Sequence, residues 1–180
     1  MSHQSKTFQT VNEAYQFLEE LGALPKLILH VKLVGEAADL LISKLYELQV
    51  QFDESFLRLG VAFHDAGKII HPEELTAKGI NHEADGENLL IKNGVDSTLA
   101  RCCRSHAQWQ TMECSFEEIC VALSDTLWKG KRNNQLEDLF MKMLVKRCHK
   151  EYWDIFIEMD SCFEKIASDG HLRLVRSQAV

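Results

Sequence analysis

Two prolines and nine glycines are all that punctuate 180 residues, and no segment sustains the apolar–polar alternation of a half-buried strand. A sheet-built domain, with its regular turn signals, does not fit. Long apolar runs are also missing: none approaches the roughly 20 residues needed to cross a bilayer. The opening residues, Met1-Ser2-His3-Gln4-Ser5-Lys6, lack the charged-then-apolar profile of a signal peptide. Basic charge is short, with 20 Lys and Arg against 27 Asp and Glu, a net charge of -7. General nucleic-acid binding, which needs a basic surface to displace counterions, is therefore not expected. A small phosphorylated molecule stays admissible, because one local cationic cluster suffices for it. The six cysteines form no zinc-type pairs at two-residue spacing. Most fall inside helical patterns, as reduced buried thiols do. These features predict a cytoplasmic protein that is neither membrane-bound nor disulfide-built, and they leave homo-oligomerisation open.

What is present is helical periodicity. At 46% hydrophobic and 26% charged residues, the chain has the composition of one globular domain with its own core. A first helix begins at Thr10, with Glu13 completing a capping box, and ends at Gly22. Pro25 opens a second, with the stripe Leu27, Val31, Val34, Ala38, Leu41, Leu45 and Leu48. A third is capped by Asp53 and runs to about Ala66, where Gly67 stops it. Asn81 caps a fourth that ends at Gly94, and a fifth runs from Asp96 or Ser97 to about Trp109. Ser115 and Glu118 form a second capping box for a sixth, ending near Gly130. Residues 135–168 are helical with a break near His149-Lys150, Gly170 closes them, and residues 171–180 read as a tail. The expected fold is a single all-α bundle of about six to eight helices.

The polar residues on the inward faces carry the chemistry. His30 shares a face with Leu27 and Val34, and His106 completes the series Leu99, Cys102, Cys103. His64 follows Gly60 and Val61 at the same spacings, and Asp125 follows Val121 and Ala122. One inward histidine is ordinarily a hydrogen-bonded core residue. Four inward groups of metal-ligand type on separate helices are harder to explain singly, since an unpaired buried carboxylate costs several kcal/mol. A divalent cation removes that cost.

The order His30, then His64-Asp65 within Phe63-His64-Asp65-Ala66-Gly67-Lys68, then Asp125 within Leu123-Ser124-Asp125-Thr126-Leu127-Trp128-Lys129-Gly130, resembles the HD-domain superfamily of metal-dependent phosphohydrolases. The resemblance spans about Leu27 to Arg132. It implies that His30, His64, Asp65 and Asp125 bind one divalent ion. His82 and His106 match the extra histidines of two-metal members, with Asp65 as the bridge. Two departures stand out: Glu83 follows His82 where some two-metal branches have proline, and the extended cyclic-dinucleotide phosphodiesterase signature is missing.

Histidine and carboxylate ligands do not choose among iron, manganese, cobalt, nickel, zinc and magnesium. The implied reaction is attack of metal-activated water on a phosphoester or phosphoanhydride of a small molecule, with a nucleotide expected from what the superfamily commonly does. Asp65 and Lys68 are the expected catalytic residues, and Lys68, Lys129, Lys131 and Arg132 the expected substrate contacts. Glu83 and Asp85 are further acid–base candidates. His3, His71, His149 and His171 read as surface residues, and Trp109 as pocket wall or packing. Trp153, Phe156 and Phe163 read as core. Two other functions fit the same ligands: a diiron oxygenase of this fold, and a non-catalytic module that senses a nucleotide.

Overall fold

The structure, a computed structural model, describes residues 6–179. Among these every regular element is helical, and extended backbone pairs only at an isolated bridge between Lys6 and Val95. No described helix is long and apolar enough to cross a membrane.

The local signals are largely obeyed. Helix α1 (Val11–Glu20) is capped by Thr10, whose Oγ1 accepts from Glu13 N at 3.2 Å. The Glu13 carboxylate reaches past the cap to Gln9 N, 2.7 Å away, so the expected box closes one residue early. Helix α2 (Pro25–Glu47) has Pro25 in its first turn, where a missing N–H leaves nothing unpaired. Asp53 caps α3 (Glu54–Phe63) through Phe56 N at 2.8 Å. The chain then tightens into 3-10 turns at Ala66–Ile69 and Pro72–Leu75 before α4 (His82–Lys92). Asn81 precedes α4 without making the side-chain cap bond its type suggests.

Two helix boundaries are corrected. The single helix from 96 or 97 to 109 is two: α5 (Ser97–Ala100) and α6 (Cys102–Gln108). At the join Arg104 N donates to Arg101 O at 2.9 Å, a three-residue bond that winds the backbone more tightly. After α7 (Phe116–Leu127), α8 (Asn134–Cys148) and α9 (Tyr152–Ser168), the supposed tail forms α10 (Gly170–Arg176), and Gly170 opens it instead of closing its predecessor. Buried Arg173 accounts for this: its guanidinium donates to Ile166 O at 2.8 Å and Trp128 O at 3.4 Å. The predicted break between α8 and α9 falls at His149, in a left-handed conformation with φ 53°.

The larger core joins α2, α3, α7, α8 and α9 through Leu41, Leu45, Leu57, Phe116, Ile119, Phe140 and Met159. Each such side chain, fully buried, stabilises the fold by roughly 1.5–3 kcal/mol before entropy is counted. Phe163 belongs to this core and Phe156 packs on it, whereas Trp153 is 75% exposed and does not. A second cluster, including Phe17, Leu18, Phe63, Leu90 and Cys103, binds α1 to α3–α6. The capping box of α7 is complete, and Ile119 to Ser124 are buried without interruption. That helix is the axis around which the others stand.

Two stretches of backbone meet unusually closely beside the inward polar residues. A Cβ on Gly67 would lie 1.8 Å from His82 O, and one on Gly86 would lie 2.6 Å from Gly67 N. The backbone after α3 therefore lies directly against the start of α4, at a distance that only glycine permits.

Candidate metal centre

The inward polar residues come from five elements. His30 sits on α2, His82 is the first residue of α4, His106 lies on α6 and Asp125 on α7. His64 is the last α-helical position after α3, while Asp65 has left helical geometry (φ −107°, ψ 16°). Consecutive helical side chains diverge by about 100°, so this backbone change is what lets His64 and Asp65 face one centre.

Asp65 stands in the middle. Its Oδ2 lies 2.7 Å from His30 Nε2, 3.5 Å from His64 Nε2 and 2.6 Å from Lys68 Nζ. Its Oδ1 lies 3.1 Å from His82 Nε2 and 3.7 Å from His106 Nε2. Asp125 Oδ1 is 3.5 Å from His64 Nε2 and 3.9 Å from His30 Nε2. Three donor triplets result: His30, His64 and Asp65; His64, His106 and Asp125; Asp65, His82 and His106. In each, one donor atom per residue lies within 4.8 Å of the others. The two oxygens of one carboxylate thus face two different pairs of imidazoles.

The far side of three rings is fixed. His64 Nδ1 donates to Val61 O at 2.7 Å and His106 Nδ1 to Cys102 O at 3.1 Å. His82 Nδ1 donates to the Glu74 carboxylate at 2.5 Å. With Nδ1 carrying the proton, Nε2 presents its lone pair to the centre. His30 Nε2, His64 Nε2, His82 Nε2 and Asp65 Oδ1 are all buried and satisfied by no hydrogen bond of acceptable geometry. Four such atoms converging on one point would be costly, and a divalent cation is the species that satisfies all of them. Imidazole nitrogens with carboxylate oxygens are a suitable donor set for first-row divalent ions. The residues present fit a metal.

His106 and the two carboxylates carry the protonation states an ion needs, whereas His64 holds its proton more tightly until an ion replaces it. Burial lowers His106 to about 4, helped by neighbouring His64, so this ring is neutral. Burial disfavours a charged His64, yet Asp65 and Asp125 outweigh it and raise its pKa. Burial alone would push Asp65 up, but His64, His30 and His82 hold it well below the usual carboxylate range. Asp125 is lowered in the same way, by His64 and Lys129 against its burial.

The cleft above these donors has a volume of about 400 Å³, and Lys26, Lys68 and Lys129 reach it. Lys129 Nζ is 3.5 Å from Asp125 Oδ2. Glu83 lines the cleft as well, its buried Oε2 unpartnered. Two expected substrate contacts are not brought here. Lys131 is exposed and does not line the cleft. Arg132 is turned away by acids: Glu137 at 2.7 and 2.8 Å, Asp160 at 2.6 Å and Glu164 at 3.1 Å. Trp109 packs on the larger core and lines a different groove. His71, expected at the surface, is half-buried, and its Nε2 lies 2.6 Å from Asp85 Oδ2.

Sequence reasoning missed Lys26, Glu74, Trp128, Leu174 and Ser177. Lys26 was detectable, one helical turn before His30 on the same face. Trp128, whose ring meets His30 edge-on at 4.9 Å, stands in the closing motif already singled out. Glu74 and the α10 residues carried no signal.

Residues 27–130, more than half of the chain, match the family model described as HD domain. Searches of curated proteins and of solved structures return no match.

Proposed function

The chain belongs to the HD-domain family, whose members are generally metal-dependent hydrolases, and from that premise we propose that it hydrolyses a phosphoester or phosphoanhydride bond of a small phosphorylated molecule, with nucleotides as the first class to try. The observation that carries this reading is the division of Asp65, one oxygen toward His30 and His64, the other toward His82 and His106.

His30, His64, Asp65 and Asp125 would hold one divalent ion, and His82, His106 and the second oxygen of Asp65 another. Bound there, such ions supply Lewis acidity and bring water to a reactive protonation state near neutral pH. The chain's own residues do the rest. Asp65, buried and ionised, ties the two halves of the site together. Lys68 sets a positive charge 2.6 Å from Asp65 Oδ2 at the cleft floor, where it can stabilise charge developing on a phosphoryl oxygen. Lys129 does the same beside Asp125. Trp128 and Leu75 wall the cleft with apolar surface, which limits water and strengthens these interactions.

The test is metal analysis of the purified protein joined to a phosphate-release screen over nucleotides and sugar phosphates with several divalent ions. Metal-dependent phosphate release that is lost in Asp65→Ala supports the reading. Oxygen-dependent turnover without phosphate release, or tight nucleotide binding without turnover, overturns it.

A further inference from the structure

The cleft is not closed by the family-matched segment alone. Leu174 and Ser177, from α10 and the residue following it, form part of its wall, more than 40 residues beyond the matched region. This wall is fastened in place. Arg173 is buried and donates to the carbonyl of Trp128, the residue whose ring abuts His30. Arg176 grips Glu36 of α2 with two bonds of 2.6 and 2.8 Å, so α10 is tied to the helix that carries His30. At the start of α10, a Cβ on Gly170 would lie 2.1 Å from Gly130 N, and the backbone contact there admits no side chain.

The chemistry of the cleft is divided. Its floor holds the carboxylates and imidazoles, and Lys68 and Lys129 are engaged with Asp65 and Asp125. Among the described residues Lys26 has no ion-pair partner, which leaves one uncommitted ammonium at the rim. The α10 side adds no cation, because Arg173 and Arg176 are directed to carbonyls and to Glu36. It offers instead the apolar Leu174, 38% exposed, with the Ser177 hydroxyl donating to the Leu174 carbonyl at 2.7 Å, and Leu75 and Ala107 line the same cleft. A chain of phosphates would find little to bind there. A single phosphate on the floor with an uncharged, partly apolar group against Leu174 would be complemented throughout.

Resting on the hydrolase reading above, we propose that α10 forms the leaving-group subsite, with Leu174 as its specificity-determining residue, and that the substrate is a phosphate monoester of a small, partly apolar molecule. The cleft volume of about 400 Å³ is near the lower end for ligand sites and suits one such molecule, not an oligomer.

Two non-hydrolysable probes isolate the subsite. Phenylphosphonate and methylphosphonate share the anion and differ in apolar area, and neither has an ester to cleave. In calorimetric titration of manganese-loaded protein, phenylphosphonate should bind about tenfold more tightly, the scale expected of one buried apolar contact. Leu174→Asn, a neutral polar replacement of similar size, should bring the ratio near unity by weakening phenylphosphonate. Leu174→Ala should lower it part-way, and this mild change at a partly exposed position guards against misfolding of the first variant. A wild-type ratio below about twofold, or a ratio that neither variant changes, overturns the subsite. Failure of methylphosphonate to bind at all removes the anion site, and the hydrolase reading falls with it.

Discussion

Glu74 Oε2 lies 2.5 Å from His82 Nδ1, and the opposite nitrogen of that ring lies 3.1 Å from Asp65 Oδ1. A carboxylate thereby sets the tautomer and angle of an imidazole that faces the centre. Glu74 is itself held, since its Oε1 accepts from Asn81 N at 3.2 Å. Replacing Glu74 with Gln should weaken the second of two bound ions by about 10- to 100-fold, the usual effect of losing such a partner. The first ion should be unaffected. Metal titration with a competing chelator reads both affinities, and equal loss of both ions would contradict the assignment.

Metal affinity should rise with pH. In the metal-free protein His64 is held above the ordinary imidazole value despite burial, because Asp65 and Asp125 face it. His82 is raised likewise against its burial, by Asp65 and Glu74, with Lys68 opposing. His30 and His106 face the same centre, and His106 stays neutral. A raised folded pKa means that these two protons stabilise the metal-free fold below about pH 6.5, and that the contribution fades as pH rises through the folded values. An ion needs the neutral ring, so binding must expel protons. Chelator competition at a series of pH values should show affinity climbing above about pH 6.5, with proton release in calorimetry. A flat profile would contradict it.

Arg132 should matter to stability and not to the site. Its guanidinium is occupied by Glu137, Asp160 and Glu164 on α8 and α9. Arg132→Ala should lower unfolding stability by about 1 kcal/mol, as expected of a partly exposed ion-pair network. Methylphosphonate affinity should be unchanged, and a loss of more than threefold in that affinity would return Arg132 to the site.

The inward faces of α2, α6 and α7 were legible because helical periodicity is local. Leu27, Val34, Cys102 and Val121 mark the buried side, and His30, His106 and Asp125 fall on it without reference to the rest of the chain. His64 and Asp65 were legible as a pair, while the release of Asp65 from helical geometry that aims both inward was not. Arg132 shows the limit of sequence proximity. A long side chain near Asp125 has no fixed direction, and three acids from later helices decided it. Glu74 stands in a short turn without a period, and its role exists only through contact with His82. In α10 seven residues give too few turns for a pattern, and Leu172, Leu174 and Val175 are all exposed. The helix is fixed by Arg173, a residue that composition alone places at the surface.

Gly67→Ala should separate the turn Ala66–Ile69 from α4, since the new methyl would meet His82 O at 1.8 Å. A cost of roughly 1–3 kcal/mol in unfolding stability is expected, together with loss of the second ion as His82 moves away from Asp65. Chemical denaturation and metal titration on one preparation check the two effects.

The most direct measurement is the number of manganese ions bound per chain at equilibrium in the native protein and in two variants. Native protein should bind two, His82→Ala one, and Asp65→Ala none, while far-ultraviolet circular dichroism stays helical in all three. Undiminished binding by folded Asp65→Ala, or no binding by the native protein, would contradict the claim that one carboxylate joins two ion sites.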